Sequence, residues 1–282
     1  MATLGKLAAG RSLGLIVALA AALFLPVAGY AAGEPWAGKI TPLTKGGFPD
    51  IPPFTGEFRF GWSDIEAARA KATLEKKDDK YVVDVSGGTT GLARTLWSLD
   101  ATHHAEFYAD TFRPTVFDQV EKYAKRTITT RGEFRSDGFW RHRESKPGKP
   151  EKWKKIKIEP IWDMVAGMFF VRSQRLADGD KIVINLYPGD SAFFTELTVL
   201  KREKITIDGK THDAIKLEFK PQRITRKDGK FGLEPHRKFK RGVVWLSDDQ
   251  YRMPLRAEVD IFIGYVFGEL ANVRFQDGST LP

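Results

Sequence analysis

The chain has 282 residues with 45 Lys and Arg against 36 Asp and Glu, a formal net charge of +9, and no cysteine. Disulfide stapling and thiol catalysis are therefore excluded, and the length suffices for a core that needs no covalent staples. The basic balance suits either an anionic partner or simple solubility.

The first element is not a folded one. Lys6 and Arg11 precede an apolar run from Leu13 to Phe24, Pro26 breaks it, and small residues follow in VAGYAAG. This order predicts a secretory signal over 1–31, with Gly29 and Ala31 at the recognition positions and Gly33 as an alternative cut. The run is shorter than the roughly 20 residues of a membrane span, so the mature protein is expected to be soluble and exported. Removing Lys6 and Arg11 takes the charge from +9 to +7. Export argues against nucleic acid as the partner.

Residues 32–53 are rich in Pro and Gly and read as an extended leader. From Phe54 to the end, a single β-rich domain (54–282) is expected, because period-two alternation dominates. FTGEFRFGW places Phe58, Phe60 and Trp62 on one face, and Ala68, Ala70, Ala72 and Leu74 alternate with charged residues. Asp78-Asp79 marks a charged turn. SGGTTG reads as a turn with close backbone packing, followed by one or two helical turns carrying Leu92, Leu96 and Trp97. Alternation returns at 101–109, 116–123, 126–134 and 138–143, and ESKPGKPEKWKK reads as an exposed basic loop.

One helix is expected from Pro160 to Leu176, because Ile161, Met164, Val165, Met168, Phe169 and Val171 follow helical spacing and proline suits a first turn. Strands resume at KIVINLY and AFFTELTVL. ITIDGKTHDAIKLEF reads as a hairpin turning at Asp208-Gly209, and the segment from Pro221 to Arg241 reads as a second basic loop. The predicted architecture is a strongly curved antiparallel sheet or incomplete β-barrel with one packed helix.

Certain features fall in a suggestive order: TGLAR, then RPTVF, then DMVAGMFFVR with Asp163 and Arg172, then IKLEFKP. The tail adds W-L-S-D-D-x-x-R-x-P-L from Trp245 and G-Y-V-x-G-E-L from Gly264. In that order the chain resembles the exported bacterial proteins of the domain of unknown function 3108 family, over roughly Phe54 to Leu270. The resemblance implies a Gram-negative periplasmic protein on a curved antiparallel sheet. It implies no activity.

Catalytic signals are weak. Asp248-Asp249 could divide acid and base work, yet neighbours in an extended segment point apart, and Ser-Asp-Asp between two alternating runs suits a hairpin bend. Arg252 is then the expected ion-pair partner. His103-His104 should also face opposite ways, and no histidine spacing fits a zinc site, so neither a metal nor a cofactor is expected. There is no G-x-S-x-G elbow and no phosphate loop.

Aromatic residues, 12% of the chain, recur at alternating positions such as Phe107, Phe117, Phe134, Phe193, Phe219 and Phe262. They fit either a filled core or a concave cleft for acyl chains. The expected function is non-catalytic binding of an amphipathic envelope component, with lipid favoured. Phe58, Phe60 and Trp62 on the sheet and Met164, Met168 and Phe169 on the helix are the candidate contacts. The alternatives are an anionic glycan or peptidoglycan binder, stacking sugars on Trp140 and Trp153, and an envelope hydrolase. An apolar cavity, an aromatic-basic groove or convergent carboxylates would separate the three.

Overall fold

A computed structural model describes residues 34–42, 51–63, 65–236, 241–261, 264–279 and 281. The signal segment and Phe262 lie outside the described residues. In chain order the elements are β1 (Phe54–Trp62), β2 (Ile65–Lys77), β3 (Lys80–Thr89), α1 (Gly91–Leu96), β4 (Leu99–Tyr108), β5 (Pro114–Tyr123), β6 (Arg126–Arg135), β7 (Gly138–Glu144) and β8 (Lys154–Ile156). They continue with β9 (Trp162–Asp163), α2 (Met164–Ser173), β10 (Lys181–Tyr187), β11 (Phe193–Ile207), β12 (Lys210–Lys227), β13 (Lys230–Pro235), β14 (Gly242–Ser247), β15 (Pro254–Asp260) and β16 (Tyr265–Phe275).

All sixteen strands join one sheet in the order β8-β7-β6-β5-β4-β3-β2-β1-β16-β15-β14-β12-β11-β10-β9, with β13 beside β12. Every pairing is antiparallel except β9 with β10. Tight turns make this order accessible. Asp208 and Gly209 both have positive φ, which suits the two-residue turn joining the long β11–β12 hairpin. Among the described residues β8 and β9 do not pair, so the chain forms a β-rich, partly open sheet with a helix rather than a closed barrel.

Strands far apart in that order still meet through their inner faces. Tyr187 of β10 packs edge-on against Phe139 of β7 at 4.9 Å between ring centroids, and lies 6.4 Å from Phe117 of β5. α2 fills the space between the two wings. Its Phe169 lies 4.9 Å from Phe107 and 6.0 Å from Tyr81, while the indole N–H of Trp162 donates to the Phe112 carbonyl at 3.1 Å. The outer face is polar instead. Glu269, itself buried, accepts from Arg59 at 2.5 Å and from Arg256 at 2.6 Å, and Arg59 also holds Asp208 at the tip of the β11–β12 hairpin.

Three sequence expectations need correction. The helix starts at Met164, not Pro160, because Asp163 is its cap: its Oδ1 accepts from the N–H groups of Val165 at 2.8 Å and Ala166 at 3.2 Å. SGGTTG is not a turn, since Ser86 to Thr89 finish β3, and a β-carbon on Gly87 would lie 2.6 Å from that of Ala70. The segment from Pro221 to Pro235 is not a loop but the end of β12 and all of β13, turning at Asp228-Gly229 with both φ positive. Ile224, Phe231 and Leu233 hold that hairpin to the core, where Phe231 meets the fully buried Trp36 of the leader at 5.1 Å. Thr41 extends the leader onto β10, exchanging bonds with the backbone of Val183.

Candidate functional site

The inner face changes character along its length. Where β1 to β5 approach α1, register places Ala70 beside Gly87, Gly87 beside Ala101, and Ala68 beside Thr89. Alternation turns these residues to the same face as the core aromatics, but apart from Thr89 their side chains are methyls or hydrogens and cannot fill the space. A cleft of about 250 Å³ results, walled by Phe60, Trp97 and Leu99 above that floor of alanine and glycine. Phe60 reaches its wall position because Gly268 lies opposite on β16, where a β-carbon would come within 2.7 Å of the ring. Trp97 is placed by hydrogen bonds around Thr89, whose hydroxyl donates to the Trp97 carbonyl at 3.0 Å and accepts from the Leu99 N–H at 3.1 Å.

Polar groups appear at the inner end of the cleft. His103 lies flat against Phe117, with ring centroids 5.7 Å apart and planes 12° from parallel. Its Nε2 stands 3.8 Å from Oδ1 of the fully buried Asp163. Among the described residues neither this Nε2 nor Oδ2 of Asp163 has a hydrogen-bond partner. Gln119 is the register partner of His103 and lines the same end. Deeper in, burial pushes the Tyr187 hydroxyl up from its usual pKa. The cleft thus offers an apolar surface with His103 and Gln119 among its lining, while Asp163 and Tyr187 lie buried behind it. Among the described residues, no three His, Asp or Glu side chains are placed to share a metal ion.

Residues 57–271 match the family described as "Protein of unknown function (DUF3108)". The chain belongs to this family. Of solved structures, this DUF3108 chain is similar to a β-barrel-like protein of domain of unknown function DUF1849 from Brucella abortus. That likeness has 11% identity and a TM-score of 0.53, covering 81% of this chain and 100% of that one. At that identity the likeness concerns the fold alone. A "putative lipoprotein" from Parabacteroides distasonis aligns at 8% identity over 80% of this chain and 97% of that one, with a TM-score of 0.33. No curated protein matches the sequence.

In the DUF3108 chain the six candidate contacts fall into separate places. Phe60 forms a cleft wall, and Trp62 stands exposed just beyond it, paired with Ile65 across the β1–β2 turn. Phe58 packs with a second, small cluster that includes Leu255 and Leu270. Met164 is exposed at the start of α2, Met168 packs partly buried against the main core, and Phe169 is 2% exposed among Tyr81, Phe107 and Phe112. Sequence reasoning missed Trp97, Leu99, His103 and Gln119 as a group. The available signal was EAARAKATL, whose small residues at alternate positions put a shallow floor where large ones would make core.

The remaining motifs have structural places. Oδ1 of Asp249 accepts from the Ser247 hydroxyl and from the N–H groups of Tyr251 and Arg252, all between 2.8 and 2.9 Å, and so builds the hairpin bend. Asp248 pairs with Arg202 at 3.4 Å. Arg252 caps the end of α2: its guanidinium donates to the carbonyls of Arg172 at 2.7 Å, Gln174, and Arg175 at 3.1 Å. His104 faces outward, away from His103, with Nδ1 2.7 Å from Asp84. On the outer face of β6 to β8, the Arg135 guanidinium lies 5.1 Å from the Trp140 ring and 5.0 Å from that of Trp153.

Proposed function

We propose that this DUF3108 chain is a non-catalytic periplasmic protein that binds an amphipathic component of the bacterial envelope, with an acyl chain as the favoured ligand. The observation that carries this reading is the apolar cleft between Phe60 and Trp97, with its polar inner end at His103 and Gln119. Sites for small amphipathic ligands are concave and mostly apolar, with a few placed polar groups that orient the ligand. In this reading the partly open sheet acts as a strongly curved, incomplete barrel, and the cleft is its mouth. Phe60 and Trp62 contact the ligand directly, and Met164 adjusts beside Asp163. Periplasmic residence rests on the signal pattern of residues 1–31, and N-terminal sequencing of the envelope fraction should find a chain starting at Ala32.

The test is native mass spectrometry on protein purified from its own periplasm. Wild type should carry lipid, and Ala101→Phe, which fills the cleft floor, should not. Wild type that never carries lipid under any mild purification overturns the reading. A second reading, an anionic glycan binder, draws on the Trp140–Arg135–Trp153 stack of the outer face. It predicts that Trp153→Ala abolishes binding to envelope glycan while Ala101→Phe leaves that binding unchanged.

A further inference from the structure

We infer that the end of the sheet formed by α1 and the β1–β2 and β5–β6 turns is a membrane-docking edge, which seats the cleft mouth on an anionic lipid surface. The inference deepens the binding proposal by naming where the ligand is met, yet it stands on the exposed edge alone. α1 buries none of its residues: Leu92 is 76% exposed and Leu96 80%, so packing within the fold gives neither leucine a role. Trp97 follows them at 57% exposed. The Thr90 N–H donates to the Ala67 carbonyl at 2.9 Å and fixes α1 beside the β1–β2 turn, where Ile65 and Trp62 also face solvent.

Positive charge borders this apolar edge. The Tyr123 ring lies 6.2 Å from that of Trp97, and the Arg126 guanidinium stands 5.0 Å from Tyr123. Lys122 near the end of β5 and Lys125 in the turn are exposed. Of the nearby acids, Asp100 is engaged by Arg94 at 2.8 Å and Glu66 by Arg69 at 2.6 Å, while Glu121 accepts from the Tyr123 hydroxyl at 3.0 Å, so Lys122, Lys125 and Arg126 leave the edge with net positive charge. Leucine and tryptophan seated at the boundary of headgroup and acyl chain, with lysine and arginine on the anionic headgroups, is how proteins rest on a bilayer without crossing it. Among the described residues no helix is long and apolar enough to cross a membrane.

The experiment is co-sedimentation of the mature protein with vesicles of phosphatidylethanolamine and phosphatidylglycerol. Wild type should pellet with them. Leu92→Asp with Leu96→Asp should weaken binding at least about tenfold, and these exposed positions leave the melting temperature unchanged. Lys125→Glu with Arg126→Glu should weaken binding at least about tenfold on these vesicles and leave any binding to pure phosphatidylcholine unchanged. Wild type that stays in the supernatant, or leucine variants that pellet like wild type, overturns the inference. Light scattering that shows a wild-type dimer dissociated by the leucine substitutions also overturns it, because the edge then belongs to a second copy. If wild type carries no lipid but still pellets, the docking edge stands and the cleft reading falls.

Discussion

The same strands, β2 to β5, build two unlike ends of one inner face. At the α2 end the alternating positions hold Leu74, Tyr81, Phe107 and Phe117, all buried in one core, with the three rings against Phe169 of the helix or Tyr187 of the opposite wing. At the α1 end the alternating positions hold Ala68, Ala70, Gly87 and Ala101, and a cleft opens. Backbone geometry does not distinguish the ends, so side-chain volume does. Period two decides which face a residue occupies, and size decides whether that face becomes core or site.

Breaking the filled end should have the largest effect. Phe169→Ala removes a ring that touches three others and should cost about 3–5 kcal/mol, measured by chemical denaturation. A smaller loss would mean that this end is as loosely packed as the other. Met168→Trp asks the same question by addition. Against a close-packed core it should cost about 1–3 kcal/mol, whereas unchanged or raised stability would show spare volume beneath α2.

Next comes the brace that holds α2 in place. Asp249→Ala removes the acceptor that shapes the bend presenting Arg252 to the helix end, and about 1–2 kcal/mol should be lost. Cellular function should survive wherever the protein accumulates. Loss of function at unchanged melting would instead give the carboxylate a role in the site. Ala101→Phe at the open end should shift stability by no more than about 0.5 kcal/mol, the range of substitutions that meet no packed neighbour. A large loss there would erase the distinction between the two ends.

The outer face supplies a pH-dependent control. Hydrogen bonds from Lys201, Trp245 and Lys216 outweigh burial and bring the Glu203 carboxyl down to about 2, from an ordinary 4.5. A lowered carboxylate stabilises the fold above its unfolded pKa, and that contribution fades as pH falls from 4.5 towards 2. Glu203→Gln should therefore flatten part of the acid-induced loss of stability in that window. Thermal melts across the window decide it.

Much of this architecture was legible in the sequence. Alternation located most strands, Asp208-Gly209 marked its hairpin, and Ser-Asp-Asp marked the final bend. Misreadings arose where one signal masked another. The charges in RITRKDGKFGL suggested a loop, although Asp228-Gly229 flanked by Ile224 and Phe231 is hairpin chemistry. Pro160 drew the helix start three residues too early for the Asp163 cap. EAARAKATL offered the small residues of the cleft floor, but the cleft itself depends on register. Only the pairing of Gly87 with Ala70 and Ala101 turns scattered small residues into one floor, and that alignment is set by contacts distant in sequence. Leu92 and Leu96 showed helical spacing, but spacing does not reveal which face meets water.

A sheet that does not close leaves two rims of unsatisfied amides, each able to recruit a strand from another molecule. The two ends of the strand order are short here, and β13 adds a six-residue edge beside β12. On one side β8 runs for only three residues, two of them lysines, and on the other β9 runs for two before the chain turns into α2. At β8 and β9 incoming strands find little ladder to extend, and on the first rim they also meet repelling charge. Lengthening β8 with apolar residues in place of Lys154 and Lys155 should be enough to start fibrillar growth.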